Sequence, residues 1–335
     1  MAQDRKDRDR AIDTFLAQAG WGDVPRRPLA DDASFRRYER VQNGFRRAVL
    51  MDAPPDKEDV RPFVTVAGLL AGADLSAPEI LAADVDQGFL LLEDLGDDTF
   101  TRVLAKGGDE KTLYAHALEA LVRLHRNFRG DAALPVYDND LFIGEAALLT
   151  EWYAPAVLPM FDPAEMETFR SLWPPLLDLA RQVPSTLVLR DYHVDNLVWL
   201  PDRPSPRNVG QLDFQDAVIG PVTYDIASLF EDARRDVDQT MAATLLDAYC
   251  DRFPDLDREV FMRSYRIMAV QRSLKIIGIF TRLAHRDGKP GYLKHIPRCW
   301  KWVDQSLKDP ALAPLKDWLD RVMPPETREK PGMAT

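Results

Sequence analysis

The stretch "LRDYHVDNLVWL", residues 189–200, sets Asp191 and Asn196 five positions apart between two apolar runs, with His193 and Asp195 between them. Alone it reads as a polar turn joining two strands. The residues after it change that reading: a Pro-rich turn, "PDRPSPRN", leads into "VGQLDF" (209–214), a strand-like run that delivers Asp213 at its end. Phosphoryl transfer needs one carboxylate to accept or orient the acceptor hydroxyl. It also needs a carboxamide and a second carboxylate to hold Mg²⁺ against a triphosphate. Asp191, Asn196 and Asp213 supply those groups in that chain order, and Asp191 and Asn196 have the D-x-x-x-x-N spacing of a kinase catalytic loop.

Working outward, the N-terminal part reads as a small antiparallel sheet with a helix inserted. Residues 8–19 carry Ile12, Phe15, Leu16 and Ala19 at helical spacing. The runs 34–41 and 45–51 are separated by Gln42-Asn43-Gly44, a hairpin signal. A helix is expected near 59–72, and "PEILAADVDQGFLLLEDLG" (78–96) reads as strand, turn, strand. After Gly96 helices dominate, at 110–128, 141–153 and 164–182, and again at 223–251, 258–286, 294–305 and 311–322. The expected fold class is α+β, with a small β lobe over residues 1–95 and a larger, mainly helical lobe over 96–323. The Pro-rich end, 324–335, is expected to be a disordered tail.

Hydrophobic content of 46% against 29% charged residues provides for a soluble globular core. No apolar run approaches a membrane span, and the charged start "MAQDRKDRDR" has no apolar signal region. Cys250 and Cys299 are far apart and have no metal-like spacing, so a reducing, cytoplasmic location is expected. A net charge of −11 argues against nucleic acid or anionic membrane as partners, and no obligate protein partner is evident. The charge is uneven: residues 261–300 hold nine Lys/Arg against one acid, Asp287, which makes a local anion site conceivable.

The linked set "DASFRRY", "MDAPP", "LLLEDLG", "RDYH", "LDFQDA" and "YDIASL" resembles the aminoglycoside phosphotransferase superfamily of small-molecule kinases over about residues 10–300. Within it, the chain is most similar to the anomeric sugar kinases of cell-wall recycling, which phosphorylate N-acetylmuramate and N-acetylglucosamine at the C1 hydroxyl. The resemblance implies a protein-kinase-like bilobal fold, ATP and Mg²⁺ as cofactors, and an amino sugar as substrate. It implies Asp191 as catalytic base, Asn196 and Asp213 as metal ligands, and Asp225 as an acid steadying the catalytic loop. Glu93 and Leu95 would pair with adenine through their backbone. Aminoglycoside, choline or homoserine-type acceptors remain alternatives, as does a catalytically dead nucleotide-binding module.

Two departures from the family pattern stand out. Leu189 replaces a bracing histidine. More consequentially, Met51 stands where a lysine should meet the α- and β-phosphates. The hairpin residues Ser34, Phe35, Arg36 and Arg37 lie where a Gly-rich loop would otherwise cover the nucleotide; strand alternation lets only one of the two arginines reach it. His193 could touch the sugar, donate to the transferred phosphate, or brace the loop. Trp152 and Tyr153 could stack on a sugar ring, or belong to the core. Arg272 and Lys275, three apart on one predicted helix face, could read the lactyl carboxylate that distinguishes N-acetylmuramate.

Overall fold

The computed structural model describes residues 2–29, 35–129, 134–330 and 332. Its strands are β1 (Arg26–Pro28), β2 (Arg37–Asn43), β3 (Arg46–Asp52), β4 (Ile80–Asp84), β5 (Phe89–Glu93), β6 (Ser185–Val188), β7 (Leu197–Trp199), β8 (Val209–Gln211) and β9 (Val218–Pro221). The helices up to the catalytic loop are α1 (Ala2–Gln18), α2 (Arg61–Gly72), α3 (Phe100–Ala105), α4 (Glu110–Asn127), α5 (Asn139–Leu148), α6 (Ala154–Val157), α7 (Ala164–Ser171) and α8 (Trp173–Ala180). After it come α9 (Thr223–Phe230), α10 (Gln239–Asp251), α11 (Arg258–His285), α12 (Ile296–Ser306), α13 (Ala313–Val322) and α14 (Pro325–Arg328). Contacts group the chain into two compact units: Met1–Leu124 with Asp195–Asp216, and His125–Val194 with Ala217–Thr335. The chain passes between units inside the loop 189–196, and again just after Asp216. Helices α3 and α4 and the β7–β8 hairpin therefore group with the residues 1–95 that the sequence reading set apart.

The first unit is built on a five-stranded antiparallel sheet in the order β1-β2-β3-β5-β4. Its two faces follow from the pleat, which sends paired residues to the same side. Val41, Ala48, Leu50, Phe89 and Leu91 form one face, and Ile12, Phe15 and Leu16 of α1 pack on it with Trp21. Tyr38, Arg40, Val49, Met51, Leu90 and Leu92 form the other. The Asn43↔Arg46 pair closes the expected hairpin with a two-residue turn. A short second ladder pairs β7 with β8 and belongs to the same unit.

The second unit is helical around α11, whose middle is buried on nearly all sides. Asp257 caps its start by accepting from the N–H groups of Glu259 and Val260. The expected helix 164–182 is two helices, because Pro174 and Pro175 cannot continue α7 and instead sit at the start of α8. The expected helix 223–251 is also two: α9 ends at Phe230, and Asp238 caps α10 by accepting from Met241 N–H. Strands β1 and β9 were not anticipated; β9 pairs with β6.

Residues 324–330 depart from the expectation of disorder. Arg328 is buried and donates to Asp304 (2.8 Å), Asp320 (2.6 Å) and the Met323 carbonyl (2.7 Å), which ties α14 down. Proline content signalled a frayed end, but the ion pairs and backbone contact of buried Arg328 outweigh that local signal. Among the described residues no helix is long and apolar enough to cross a membrane.

Candidate active site

In the second unit, β6 ends at Val188 and the backbone turns sharply into the loop that carries Asp191. Arg190 sits at φ +71°, a left-handed conformation that costs a non-glycine residue energy and persists only under strong constraint. The constraint is Asp225, at the start of α9, whose carboxylate accepts from the N–H groups of Leu189 (2.6 Å) and Arg190 (2.9 Å). Burial lifts the Asp225 carboxyl to about 7, with the two N–H donors and Arg272 opposing. The Arg190 guanidinium is ion-paired to Glu145, and Glu145 also accepts from Lys275 (3.0 Å) and Tyr137.

Asp191 itself reaches solvent but is hemmed in by charge from its own unit. Burial alone would push its carboxyl up; Lys275 above all, then His193, Arg272 and Arg190, outweigh it, and the net position is below the usual carboxylate range. It is therefore a carboxylate at neutral pH. His193 is buried, and Nη1 of Arg234 lies 3.3 Å from its Nε2. A guanidinium only donates, so Nε2 is the acceptor and Nδ1 carries the proton. Burial lowers its pKa, with Arg234 and Arg272 adding to that and Asp232 and Asp191 opposing, which keeps the ring neutral.

In the first unit, Asn196 immediately precedes β7 and Asp213 follows β8 by two residues. The ladder continues one step past Leu197↔Gln211, since Leu212 N–H donates to the Asn196 carbonyl at 2.9 Å. That register brings Asn196 and Asp213 to one end of the hairpin. Asp213 sits at φ +56°, also a left-handed conformation, and accepts from Gln215 Nε2 at 2.8 Å. Phe214 beside it packs against Phe63 of α2, with centroids 4.7 Å apart and the rings tilted by 33°. A carboxamide and a carboxylate oxygen are hard donors, and two such ligands with the rest from phosphate and water is how Mg²⁺ is commonly bound. The donor set fits that ion.

The segment after β5 is held from three sides within this unit. Arg203 pairs with the Glu93 carboxylate, and Glu93 N–H donates to the Glu79 carbonyl at 2.8 Å. Arg40, on the Met51 face of the sheet, binds Asp94 (2.8 Å) and Asp97 (3.1 Å). Leu95 packs over Gly210, where a Cβ would lie 2.9 Å from its Cδ1. Of the hairpin residues, Ser34 lies outside the described residues and Phe35 is exposed. Arg37 turns to the α1 face and pairs with buried Asp52, which also receives Arg8.

Three expected sugar contacts have other tasks in the structure. Tyr153 is fully buried, its hydroxyl donates toward the carbonyls of Thr327, Arg328 and Lys330, and burial raises its pKa to about 12. It anchors the C-terminal segment, because a buried hydroxyl must find a partner. Lys275 is ion-paired to Glu145, and Arg272 is 3% exposed, so both cations act inside the helical unit. Trp152 is half-buried in a π-helical turn, Leu149–Tyr153. The basic segment 261–300 is likewise met by acids from elsewhere, as in Arg266–Asp309 and Arg298–Asp236.

Glu231, next to the loop-bearing α9, makes a pH prediction. Burial raises its carboxyl from 4.5 to about 8, against Tyr265, Arg272 and Arg266. The folded protein then keeps a proton that the unfolded chain releases, so stability is full below about 4.5 and falls as pH rises toward about 8, by up to about 1.4 kcal/mol per pH unit. Glu231→Gln removes that loss. Melting temperatures at pH 5.5 and 8.5 should favour the variant far more at 8.5; an equal difference at both would contradict the assignment.

The sequence matches the phosphotransferase enzyme family over residues 25–261. The chain belongs to that family. It is 38% identical to an N-acetylmuramate/N-acetylglucosamine kinase of Caulobacter vibrioides, covering 96% of this chain and 98% of that protein. It is 41% identical to the enzyme of the same name from Pseudomonas aeruginosa, covering 93% of each. Among solved structures, it is similar to a gentamicin complex of an aminoglycoside phosphotransferase (TM-score 0.58, 16% identity, 90% of this chain and 96% of that one). It is also similar to a choline kinase of Cryptosporidium parvum (TM-score 0.59, 12% identity, 93% and 99%). The fold is protein-kinase-like, with an antiparallel sheet and a larger set of helices, and the chain is a phosphotransferase.

Sequence reasoning missed the residues that hold this site rigid: Glu145, Arg234, Arg40 and Asp52. Arg40 carried a signal, lying two positions after Tyr38 on one strand face. Glu145 carried none, since 45 residues separate it from Arg190.

Proposed function

We propose that this phosphotransferase moves the γ-phosphoryl group of ATP onto the C1 hydroxyl of N-acetylmuramate, N-acetylglucosamine or both, in the cytoplasm, as a step in cell-wall recycling. The observation that carries the reading is identity of 38–41% to kinases of those two sugars over more than nine-tenths of the chain. In this reading residues 1–95 bind the nucleotide and 96–323 the acceptor. Glu93 and Leu95 offer backbone groups to adenine, and Phe35 covers the nucleotide with Ser34.

Asp191 accepts the C1 hydroxyl proton as its oxygen forms a bond to the γ-phosphorus and the bond to the ADP oxygen breaks. An anomeric hydroxyl is more acidic than an ordinary alcohol, so a carboxylate held below its usual range is still basic enough. Asn196 and Asp213 would hold Mg²⁺, which when bound neutralises charge on the phosphates. Asp225, Glu145 and Arg190 fix the loop backbone, so that Asp191 meets the hydroxyl without reorganisation. His193, neutral and braced by Arg234, can offer its Nδ1–H to the sugar or to the transferred phosphate. Trp152 presents an aromatic face suited to a sugar ring.

Incubation with Mg-ATP and a panel of acceptors tests this reading. Turnover of the two amino sugars but not of choline, homoserine or gentamicin is expected; turnover of a cationic acceptor alone would replace it.

A further inference from the structure

In protein kinases a strand lysine meets the nucleotide phosphates, and a glutamate on the neighbouring helix holds that lysine in place. In this chain both partners are gone. Met51, one residue before the end of β3, is fully buried and paired with Tyr38 and Leu90. Helix α2, "RPFVTVAGLLAG", contains no acid at any position. Losing one partner would strand the other charge in a partly buried place, whereas losing both avoids that cost. A triphosphate on the Met51 face of the sheet still needs a cation.

The start of β2 offers one. Arg37 is committed to Asp52 on the opposite face, together with Arg8 of α1. Arg36 precedes it by one residue, so the pleat directs it to the Met51 face with Tyr38. Its side chain is only 10% exposed, and its Nε lies 3.9 Å from the carboxylate of Glu58. Glu58 stands three residues before the first residue of α2. The pair Arg36–Glu58 thus bridges the start of β2 and the entry to the helix, the same two kinds of element, strand and helix, that the kinase lysine and glutamate join.

We infer that Arg36 and Glu58 replace the missing pair: Arg36 is the phosphate-binding cation and Glu58 the acid that positions it. The inference rests on the kinase reading above. A guanidinium has five N–H donors in a planar fork, so a contact with Glu58 is compatible with two parallel bonds to phosphate oxygens. A lysine lacks the fork. This division of labour also explains how Met51 can be apolar without loss of function.

The test uses the full chain and titrates Mg-ADP and adenosine against the wild type, Arg36→Gln, Glu58→Gln and the double variant, with melting temperatures to confirm folding. Arg36→Gln should weaken Mg-ADP about tenfold or more and leave adenosine unchanged. Glu58→Gln should weaken Mg-ADP by a smaller factor, about threefold, and add nothing once Arg36 is gone. Arg36→Lys should recover only part of the loss. Unchanged Mg-ADP affinity in a folded Arg36→Gln protein, or additive effects in the double variant, would overturn the inference. A wild type that binds neither ligand would overturn the kinase reading itself.

Discussion

Replacing Asp191 by Asn should lower kcat by about 10²- to 10⁴-fold, the range for loss of a positioned general base, with little change in KM for ATP. The substitution preserves shape and removes only the charge, so the fold and the turn made by the Leu189 and Arg190 N–H groups should survive. The charge is well supported: Lys275, His193, Arg272 and Arg190 together hold the carboxyl below its usual range against its burial. Because a lowered pKa keeps the base ionised until the medium is distinctly acidic, activity should show no acid limb between pH 5 and 8. Lys275→Met should bring that limb upward, since Lys275 is the largest of the four influences. A profile that does not move on that change would mean that Lys275 serves only packing. An Asp191→Asn enzyme with near-normal kcat would remove Asp191 from the reaction.

The second large effect is on stability. Gly278 lies in the buried middle of α11, where a Cβ would stand 2.3 Å from the Leu148 carbonyl carbon and 2.5 Å from its oxygen. Elsewhere in a helix, Gly→Ala stabilises by roughly 1 kcal/mol, because alanine has less freedom to lose. Here the methyl group meets backbone, which cannot swing aside, and the π-helical turn Leu149–Tyr153 follows directly. Gly278→Ala should therefore destabilise by about 3 kcal/mol or more, the upper range of overpacking. The melting temperature should fall by several degrees. A variant as stable as the wild type would show that α5 and α11 do not approach as closely as described.

These two residues also show where the sequence is informative. The positions of Asp191, Asn196 and Asp213 at strand ends were legible because strand, loop and turn punctuation placed them, and punctuation is local. The Asn-Gly hairpin was legible for the same reason. Glu145 was not, because nothing in its own neighbourhood announces that it pairs with Arg190 and Lys275. The same blindness made Arg272 and Lys275 look like a free anion site: counting charge along 261–300 registers the cations, but their acids arrive from α5 and other distant elements. Tyr153 misled in the opposite direction. An aromatic residue in a helix is compatible with stacking on a sugar or with the core, and only the docking of the C-terminal segment decides between them. For Arg36 and Arg37, alternation stated that one arginine at most could face the nucleotide; Asp52 determines which one is withdrawn.

Most of the residues that the sequence missed hold others in place. Glu145 holds Arg190 of the strained turn, Arg234 orients a histidine, and Arg40 ties Asp94 and Asp97 to the sheet. Charged supports of this kind are drawn from whichever element happens to be adjacent, so they leave no spacing to read.

The position of phosphorylation tests the account most directly. Incubated with Mg-ATP, the protein should phosphorylate N-acetylglucosamine or N-acetylmuramate to a product whose phosphate is acid-labile and couples to the anomeric proton in the NMR spectrum. The 1-O-methyl glycosides of the same sugars should remain unchanged. Phosphorylation of a 1-O-methyl glycoside, or a phosphate at any other carbon, would contradict it.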